Sequence, residues 1–484
     1  MAIATVILAP LLVAVWVLLF RNRPNAREFG SLAGSVVMAA AAGSLALRVC
    51  DGAVEELRIV SLVTGADLAL RADALGSLFA ALAAGLWVLT TMYSVGYMRG
   101  LAEHAQARYY FFFALCLMGA AGVALAANLL TFLIFYEVLT LATWPLVVHK
   151  ESQDAIRAGR RYLAYTLTAG VLLFLATAWI HVLAGDGEFR PGGFLPAVAP
   201  VETQRAIFVL LALGVGVKAA VMPLHAWLPE AMIAPTPVSA LLHAVAVVKA
   251  GVFGMLRVVG YVFGPEATRQ IGAGPVVAGF AAATIVLSSM MALAQDNLKR
   301  RLAYSTIGQL SYIVLGAAIG TARALQGAAF HIVAHAFLKI ALFFCAGAIY
   351  VRTHKETVRA LDGIGRQMPF TIAAFAVGAL GLAGIPPMAA FWSKWNLIAP
   401  AGGWFWAAVL AVSGVLNLAY LFPIVWRGFL RPSPDHLAFG EASAAMVVPI
   451  VSAALLGILA GAAENWPLPF FRLAEMAARE MTGP

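Results

Sequence analysis

Apolar runs of roughly twenty residues recur along the whole chain, separated by short polar segments, and each is long enough to cross ~30 Å of hydrocarbon at ~1.5 Å per residue. About fourteen such runs are present, at approximately 2–20, 30–48, 74–98, 109–127, 129–148, 162–184, 206–229, 237–261, 273–294, 302–320, 326–350, 369–399, 404–426 and 443–462. The pattern predicts an all-α polytopic membrane protein with about fourteen transmembrane helices. Run length excludes a β-barrel. The first run has no basic residue before it and no small-residue cleavage site after it, so it reads as a retained helix rather than a signal peptide. The C-terminal segment FFRLAEMAAREM is mildly amphipathic. It is expected to be a frayed end in preference to an interfacial helix.

Two spans carry signals that break a helix. In the seventh, VKAAVMPLHAWLPE sets Pro223 five residues after Lys218, and in the twelfth, GLAGIPPMAAFWSKW sets Pro386 and Pro387 before Lys394. Proline removes a backbone donor and clashes with the preceding turn. Interrupted helices leave unpaired backbone groups that hydrocarbon tolerates only beside protein or water, and such spans in pairs often mark a transport site. The two lie five spans apart, which suggests two five-helix units, spans four to eight and nine to thirteen. An odd number of helices per unit makes inversion between them compulsory. The chain then divides into N-terminal helices (1–108), a first repeat (109–262), a second, inverted repeat (263–431), and a last helix with a short tail (432–484).

Composition agrees with a lipid solvent: 62% of residues are hydrophobic and only 11% charged. The net charge of +9 does not indicate nucleic acid, because the basic residues fall in short loops between spans. Their distribution alternates. One side collects Arg21, Arg23, Arg27, Arg99, Arg108, Lys150, Arg157, Arg160, Arg161, Lys299, Arg300, Arg301, Arg352, Lys355, Arg359, Arg366, Arg427 and Arg431, roughly eighteen against about nine opposite. The acidic residues Asp51, Glu55, Glu56, Asp186, Glu188, Glu202 and Glu464 lie on the less basic side. Both termini are therefore expected outside. Cys50, Cys116 and Cys345 form no CxxC or CxxxC group, and no Walker or GxGxxG loop is present. No cofactor, metal site or catalytic residue is expected, and energy for any uphill work has to come from another ion or another subunit.

With the loop charges set aside, Lys218, Lys249, Arg257, Lys339 and Lys394 remain inside spans. Arg257 lies near a span end and is expected to snorkel to the interface. Each lysine costs about 2.5–3.5 kcal/mol at mid-bilayer, so four unsupported ones would cost on the order of 10–14 kcal/mol. Glu137 is the only acidic residue well inside a span, and one carboxylate cannot pair with four ammoniums at once. The others must sit in water or release their protons, because a low-dielectric surrounding disfavours the charged form. A lysine that can lose its proton can carry one.

His331, His335 and Lys339 in HIVAHAFLKIALFF stand at i, i+4 and i+8, on one stripe covering ~12 Å of axial rise. Two histidines at that spacing can bind zinc, but the glutamate of an HExxH motif is missing and no acidic residue lies in this span. His243 and Lys249 lie six residues apart, so on a continuous helix they face different neighbours. The Pro223 break makes the position of His225 relative to Lys218 unreadable. In KRRLAYSTIGQLSYI, Tyr304, Ser305, Thr306, Gln309, Ser311 and Tyr312 either hydrogen-bond across helices or serve as packing contacts.

These segments, with YEVLTLATWPLVVHK and LLHAVAVVKAGVFGMLRV, resemble over nearly the whole chain the antiporter-like proton-pumping subunits shared by respiratory complex I, Mrp-type sodium/proton antiporters and membrane-bound hydrogenases. The resemblance implies that Glu137 and Lys218 interact and that Lys218 switches. It makes His243 and Lys249 the eighth-helix positions, His331, His335 and Lys339 the eleventh-helix connection, and Lys394 the exit residue. Lysine rather than glutamate there, within FWSKW, looks like the D-type group among the Mrp antiporter proteins. The implied function is proton translocation along a Glu–Lys–His–Lys axis, in a complex with homologous antiporter-like and small membrane subunits, in a bacterial-type cell inner membrane. Sodium as a second ion is left open, and no catalysis is expected from the chain alone, although a subunit of a proton-pumping oxidoreductase fits. The competing readings are a quinone-reducing redox subunit, opposed by the lack of haem, flavin and iron–sulfur ligand patterns, and a membrane partner in inorganic-carbon uptake.

Overall fold

The computed structural model describes residues 1–63, 65–398, 404–433, 438–462 and 469–483. Glu464, counted above among the acidic loop residues, lies outside them. Helices occupy every expected span. In chain order they are α1 (Ala2–Leu19), α2 (Pro24–Cys50), α3 (Ala74–Gly100), α4 (Gln106–Leu125), α5 (Leu129–Val147), α6 (Gln153–Ala184), α7 (Val201–Lys218), α8 (Trp227–Glu230), α9 (Thr236–Ala244) and α10 (Val247–Arg257). There follow α11 (Pro265–Gln270), α12 (Ala273–Ala294), α13 (Leu298–Ile319), α14 (Ala322–Thr353), α15 (Ile364–Gln367), α16 (Pro369–Ala383), α17 (Ala389–Ile398), α18 (Trp404–Leu430), α19 (Ala444–Leu459) and α20 (Phe470–Thr482). Among the described residues, eleven helical segments are long and apolar enough to cross a membrane, with α9, α10 and the turn after them counted as one.

The starts follow local chemistry. Asp73, Asn128, Ser152, Asn297 and Thr321 each accept a hydrogen bond from a backbone N–H three residues on, satisfying one of the donors a first turn leaves free. The centre of the bundle is α14 with α9, α10 and α13. The most apolar stretches of α14 and of the α9–α10 unit are buried throughout, whereas α2, α6 and α18 turn about two thirds of theirs outward. The helices that carry His243, Lys249, His331, His335 and Lys339 are thus the ones buried inside the bundle.

The seventh and twelfth spans are broken, as Pro223 and the Pro386–Pro387 pair require: α7 stops at Lys218, and α16 stops at Ala383 with Gly384 in the left-handed region at φ 94°. The eighth span is broken too, which was not expected. Between α9 and α10, Val245 and Ala246 leave helical geometry, the latter at φ −100°, ψ −94°. His243 and Lys249 therefore sit on separate helices, and their angular offset on one continuous helix does not apply.

Two further elements differ from expectation. The segment after α2, read as a loop, is an antiparallel hairpin of β1 (Glu55–Val63) and β2 (Ala66–Ala72) that pairs Glu55 with Ala72. The C-terminal segment is the ordered helix α20 rather than a frayed end. It buries Leu473, Ala474, Ala477, Ala478 and Met481, and sets Phe470 and Phe471 against Phe337 and Phe330 of α14.

One acidic group secures α20. Glu480 accepts a 2.7 Å hydrogen bond from the Tyr261 hydroxyl, close to Asp73 and Arg257. Burial first, and the Asp73 carboxylate second, push its pKa from 4.5 up to about 7, against Tyr261 and Arg257, which favour the anion. A carboxyl whose folded pKa lies above its unfolded one binds its proton more tightly when folded. Its contribution is complete below the unfolded value and is lost as pH rises through the folded one. Hydrogen exchange in α20 is expected to be faster, after correction for intrinsic rates, at about pH 8 than at about pH 5, and Glu480→Gln should flatten that difference.

Candidate functional site

Lys218 is the last residue of α7. Its Nζ donates to the Tyr136 carbonyl at 2.6 Å and lies 3.2 Å from the centroid of the Tyr136 ring. The Tyr136 hydroxyl returns to α7 by donating to the Gly214 carbonyl at 3.0 Å. Glu137, one residue on, points away from this clamp. Its carboxylate abuts Gly170 of α6, where an added methyl group would overlap it, and Oε1 has no hydrogen-bond partner among the described residues. Glu137 and Lys218 are near enough to interact electrostatically but form no salt bridge. The pairing implied by the family resemblance is therefore an approach, not a contact. Consecutive residues diverge by about 100° around a helix, and the ammonium has taken the backbone of Tyr136 instead.

In the centre, Lys249 donates to the Ile332 carbonyl at 3.0 Å and lies 2.9 Å from His335 Nδ1. His331 bridges two elements, with Nδ1 2.7 Å from Ser393 Oγ on α17 and Nε2 3.1 Å from Gln309 Oε1 on α13. The two imidazoles are 6.2 Å apart between centroids, and His331 also stacks on Tyr312 at 5.3 Å. Lys339 donates to Ser305 Oγ at 2.7 Å and to the Leu302 carbonyl at 3.4 Å, and Ser305 accepts from the Tyr420 hydroxyl at 2.9 Å. His331, His335 and Lys339 thus share a stripe of α14 but each engages a different neighbour. His243 stacks on Phe343 at 4.6 Å, and neither of its ring nitrogens has a partner among the described residues.

Lys394 closes the row. Its Nζ donates to the carbonyls of Leu382 at 2.6 Å and Ala383 at 3.2 Å, which are end groups of the interrupted helix α16, and lies 4.9 Å from the Tyr312 centroid. Because Ser393 precedes Lys394, the contact from His331 arrives one residue from the last lysine. Ser393, Gln309, Ser305, Tyr136 and Tyr420 join the site through these contacts. Gln309 and Ser305 belong to the polar run whose role the sequence left open, and both hydrogen-bond across helices. Tyr136, Ser393 and Tyr420 carry no signal in isolation, since each looks like ordinary helix packing. His225, in the bend after α7, is half-buried with its ring 6.4 Å from that of Tyr304.

Arg257 does not snorkel. It is buried, grips both carboxylate oxygens of Asp73, donates to the Ala124 carbonyl at 3.3 Å, and stands over the rings of Phe189, Phe253 and Tyr261 at 5.1, 5.0 and 4.6 Å. Desolvation by those rings is offset by a two-point ion pair.

Residues 126–418 match the family described as NADH:quinone oxidoreductase/Mrp antiporter, TM. The chain is 32% identical over 446 residues to NADH-quinone oxidoreductase subunit N of Desulforudis audaxviator, covering 90% of this chain and 88% of that one. It is 29% identical over 439 residues to hydrogenase-4 component B of Escherichia coli, covering 84% of this chain but only 64% of the relative. A solved structure of the Mrp complex from Dietzia sp. contains a chain that superposes with a TM-score of 0.86 at 22% identity, covering 99% of this chain and 97% of that one, a likeness of fold.

Proposed function

We propose that this chain, an integral multi-pass membrane protein that belongs to the NADH:quinone oxidoreductase/Mrp antiporter transmembrane family, moves protons along the row Glu137, Lys218, His243, Lys249, His331, His335, Lys339 and Lys394. The observation that carries this reading is the state of the four lysines. All are buried, none forms a salt bridge with a carboxylate among the described residues, and each Nζ rests on carbonyl, hydroxyl or imidazole groups that also accept from a neutral amine. Such an arrangement supports both protonation states, as a carrier requires.

Glu137 is the element of control. When its carboxylate approaches Lys218, the ammonium is favoured; when it withdraws, the proton is released towards Lys249 and the imidazoles. Each charge moved through the field gains or costs ~2.3 kcal/mol per 100 mV, a scale that making or breaking one buried ion pair can match. The seventh and twelfth spans, interrupted at their prolines, would then be corresponding parts of two inverted repeats, 109–262 and 263–431, flanked by 1–108 and 432–484. The chain would act beside homologous antiporter-like and small membrane subunits, in a bacterial-type inner membrane with both termini outside.

The test is proton transport by the intact complex in sealed vesicles with a pH-sensitive dye. Lys249→Ala and Lys339→Ala are each expected to lower the rate severalfold while the complex still assembles. Wild-type rates in both variants would remove the proposal.

A further inference from the structure

Away from the row of lysines, at the ends of α3 and α5 where the loop arginines gather, lies a second cluster of titratable groups. Glu103 and His104 sit in the five-residue turn between α3 and α4, and His149 follows the last turn of α5. Ala102 and Ala105 hold left-handed backbone at φ 48° and 46°, so the turn is fixed on both sides of the pair. Glu103 Oε2 lies 3.9 Å from His104 Nδ1 and 3.9 Å from His149 Nε2, and one donor atom from each residue falls within 4.8 Å of the other two.

His149 is the telling member. It is fully buried, yet neither ring nitrogen has a hydrogen-bond partner among the described residues. The Tyr109 ring meets it edge-on at 6.0 Å, the His104 ring stacks on it at 4.9 Å, and Arg108 donates to its carbonyl at 3.0 Å while pairing with Glu151. Backbone and ring are therefore held firmly while Nε2 is aimed at a carboxylate beyond hydrogen-bonding range. A buried imidazole without a partner is a polar group whose loss of water is uncompensated.

We infer that Glu103, His104 and His149 form a binding site for a divalent transition-metal ion of the zinc class. Two imidazoles and one carboxylate are a ligand set that zinc accepts with a fourth position left to water. Ligand bonds of about 2.0–2.2 Å require donor atoms about 3.4 Å apart. Closing 3.9 Å to that separation needs about half an ångström at each carboxylate–imidazole pair, the two imidazole donors, within 4.8 Å of each other, must draw in as well, and His104, about half exposed, is free to supply the movement. A bound ion would tie the α3–α4 turn to the end of α5, the helix that carries Glu137.

The experiment uses the intact complex without a histidine tag, titrated with Zn2+ alone against a chromophoric chelator and with Co2+ for its visible ligand-field spectrum. Wild type is expected to bind one ion more than Glu103→Gln or His104→Ala, or to bind it at least about tenfold more tightly, with a Co2+ spectrum that shows nitrogen ligation. Both substitutions are at partly exposed loop positions, so they test the site without relying on the buried His149, whose replacement by Gln is a third, confirmatory variant. Equal stoichiometry and affinity in wild type and both loop variants, or no saturable binding at all, would overturn the inference.

Discussion

In the intact complex, Lys218→Ala is expected to reduce proton transport to the background of membranes that lack the chain, and Lys218→Arg to do no better. The two substitutions separate charge from proton exchange. Arginine keeps a cation near the Tyr136 carbonyl and ring, where Lys218 now sits. A guanidinium does not give up its proton at any pH a membrane meets. If Lys218 only fills space or balances charge, Arg should restore transport; if it must load and unload a proton, Arg should fail as completely as Ala. Glu137→Gln belongs to the same experiment, because the amide fits beside Gly170 but removes the charge that would favour the ammonium. Transport at the wild-type rate in both Lys218→Ala and Glu137→Gln would sink the charge-switch mechanism. Transport retained in Lys218→Arg alone would reduce Lys218 to a fixed cation.

The largest effect on stability is expected at Arg257→Met. That change removes a buried guanidinium from both oxygens of Asp73 and from three aromatic faces, and leaves the carboxylate beside Glu480 with no compensating cation. Breaking a buried pair from one side costs about 3–5 kcal/mol, more than a surface ion pair by severalfold. The double variant Asp73→Asn with Arg257→Met should recover most of the loss. It removes the orphaned charge, and asparagine keeps the side-chain oxygen that caps α3 by accepting from Gly76 N–H, a bond of 2.7 Å here. Thermal unfolding of the detergent-solubilised complex decides between outcomes. A single variant as stable as wild type would show that Arg257 reaches water after all, and a double variant no better than the single would show that packing against the rings, not the ion pair, is what matters.

The parts of this molecule legible in its sequence are those set by rules that act along the chain. Run length placed the helices, and the prolines at 223, 386 and 387 placed two interruptions, because both signals need only local geometry. The interruption at Val245 and Ala246 has no such signal: nothing in HAVAVVK forbids a helix, and neighbouring elements decide the break. The hairpin after α2 has a weak signal, since polar and apolar residues alternate through ELRI and VSL before Gly65 but Ile59 and Val60 break the alternation where the register shifts. Burial of one face of α20 depends on α3 and α14, far away in sequence. Which ionisable residues lie inside the spans was readable; the groups they touch were not. A lysine inside a span announces that something must receive it, yet whether that is Glu137, a carbonyl or an imidazole is a matter of distances between helices.

The interruption of α16 bears on what happens after a proton has left. Lys394 spends two of its three N–H groups on the Leu382 and Ala383 carbonyls. A neutral amine still has two N–H groups, enough for both carbonyls. Discharge therefore need not strand either peptide group in hydrocarbon, and the amine's new lone pair takes the place of the N–H that was lost. Lys339, held by Ser305 and the Leu302 carbonyl, has the same reserve. In the proposed mechanism the scaffold would then stay still while its charge changes, and the slow step would be the approach and withdrawal of Glu137 rather than repair of the backbone at each turnover.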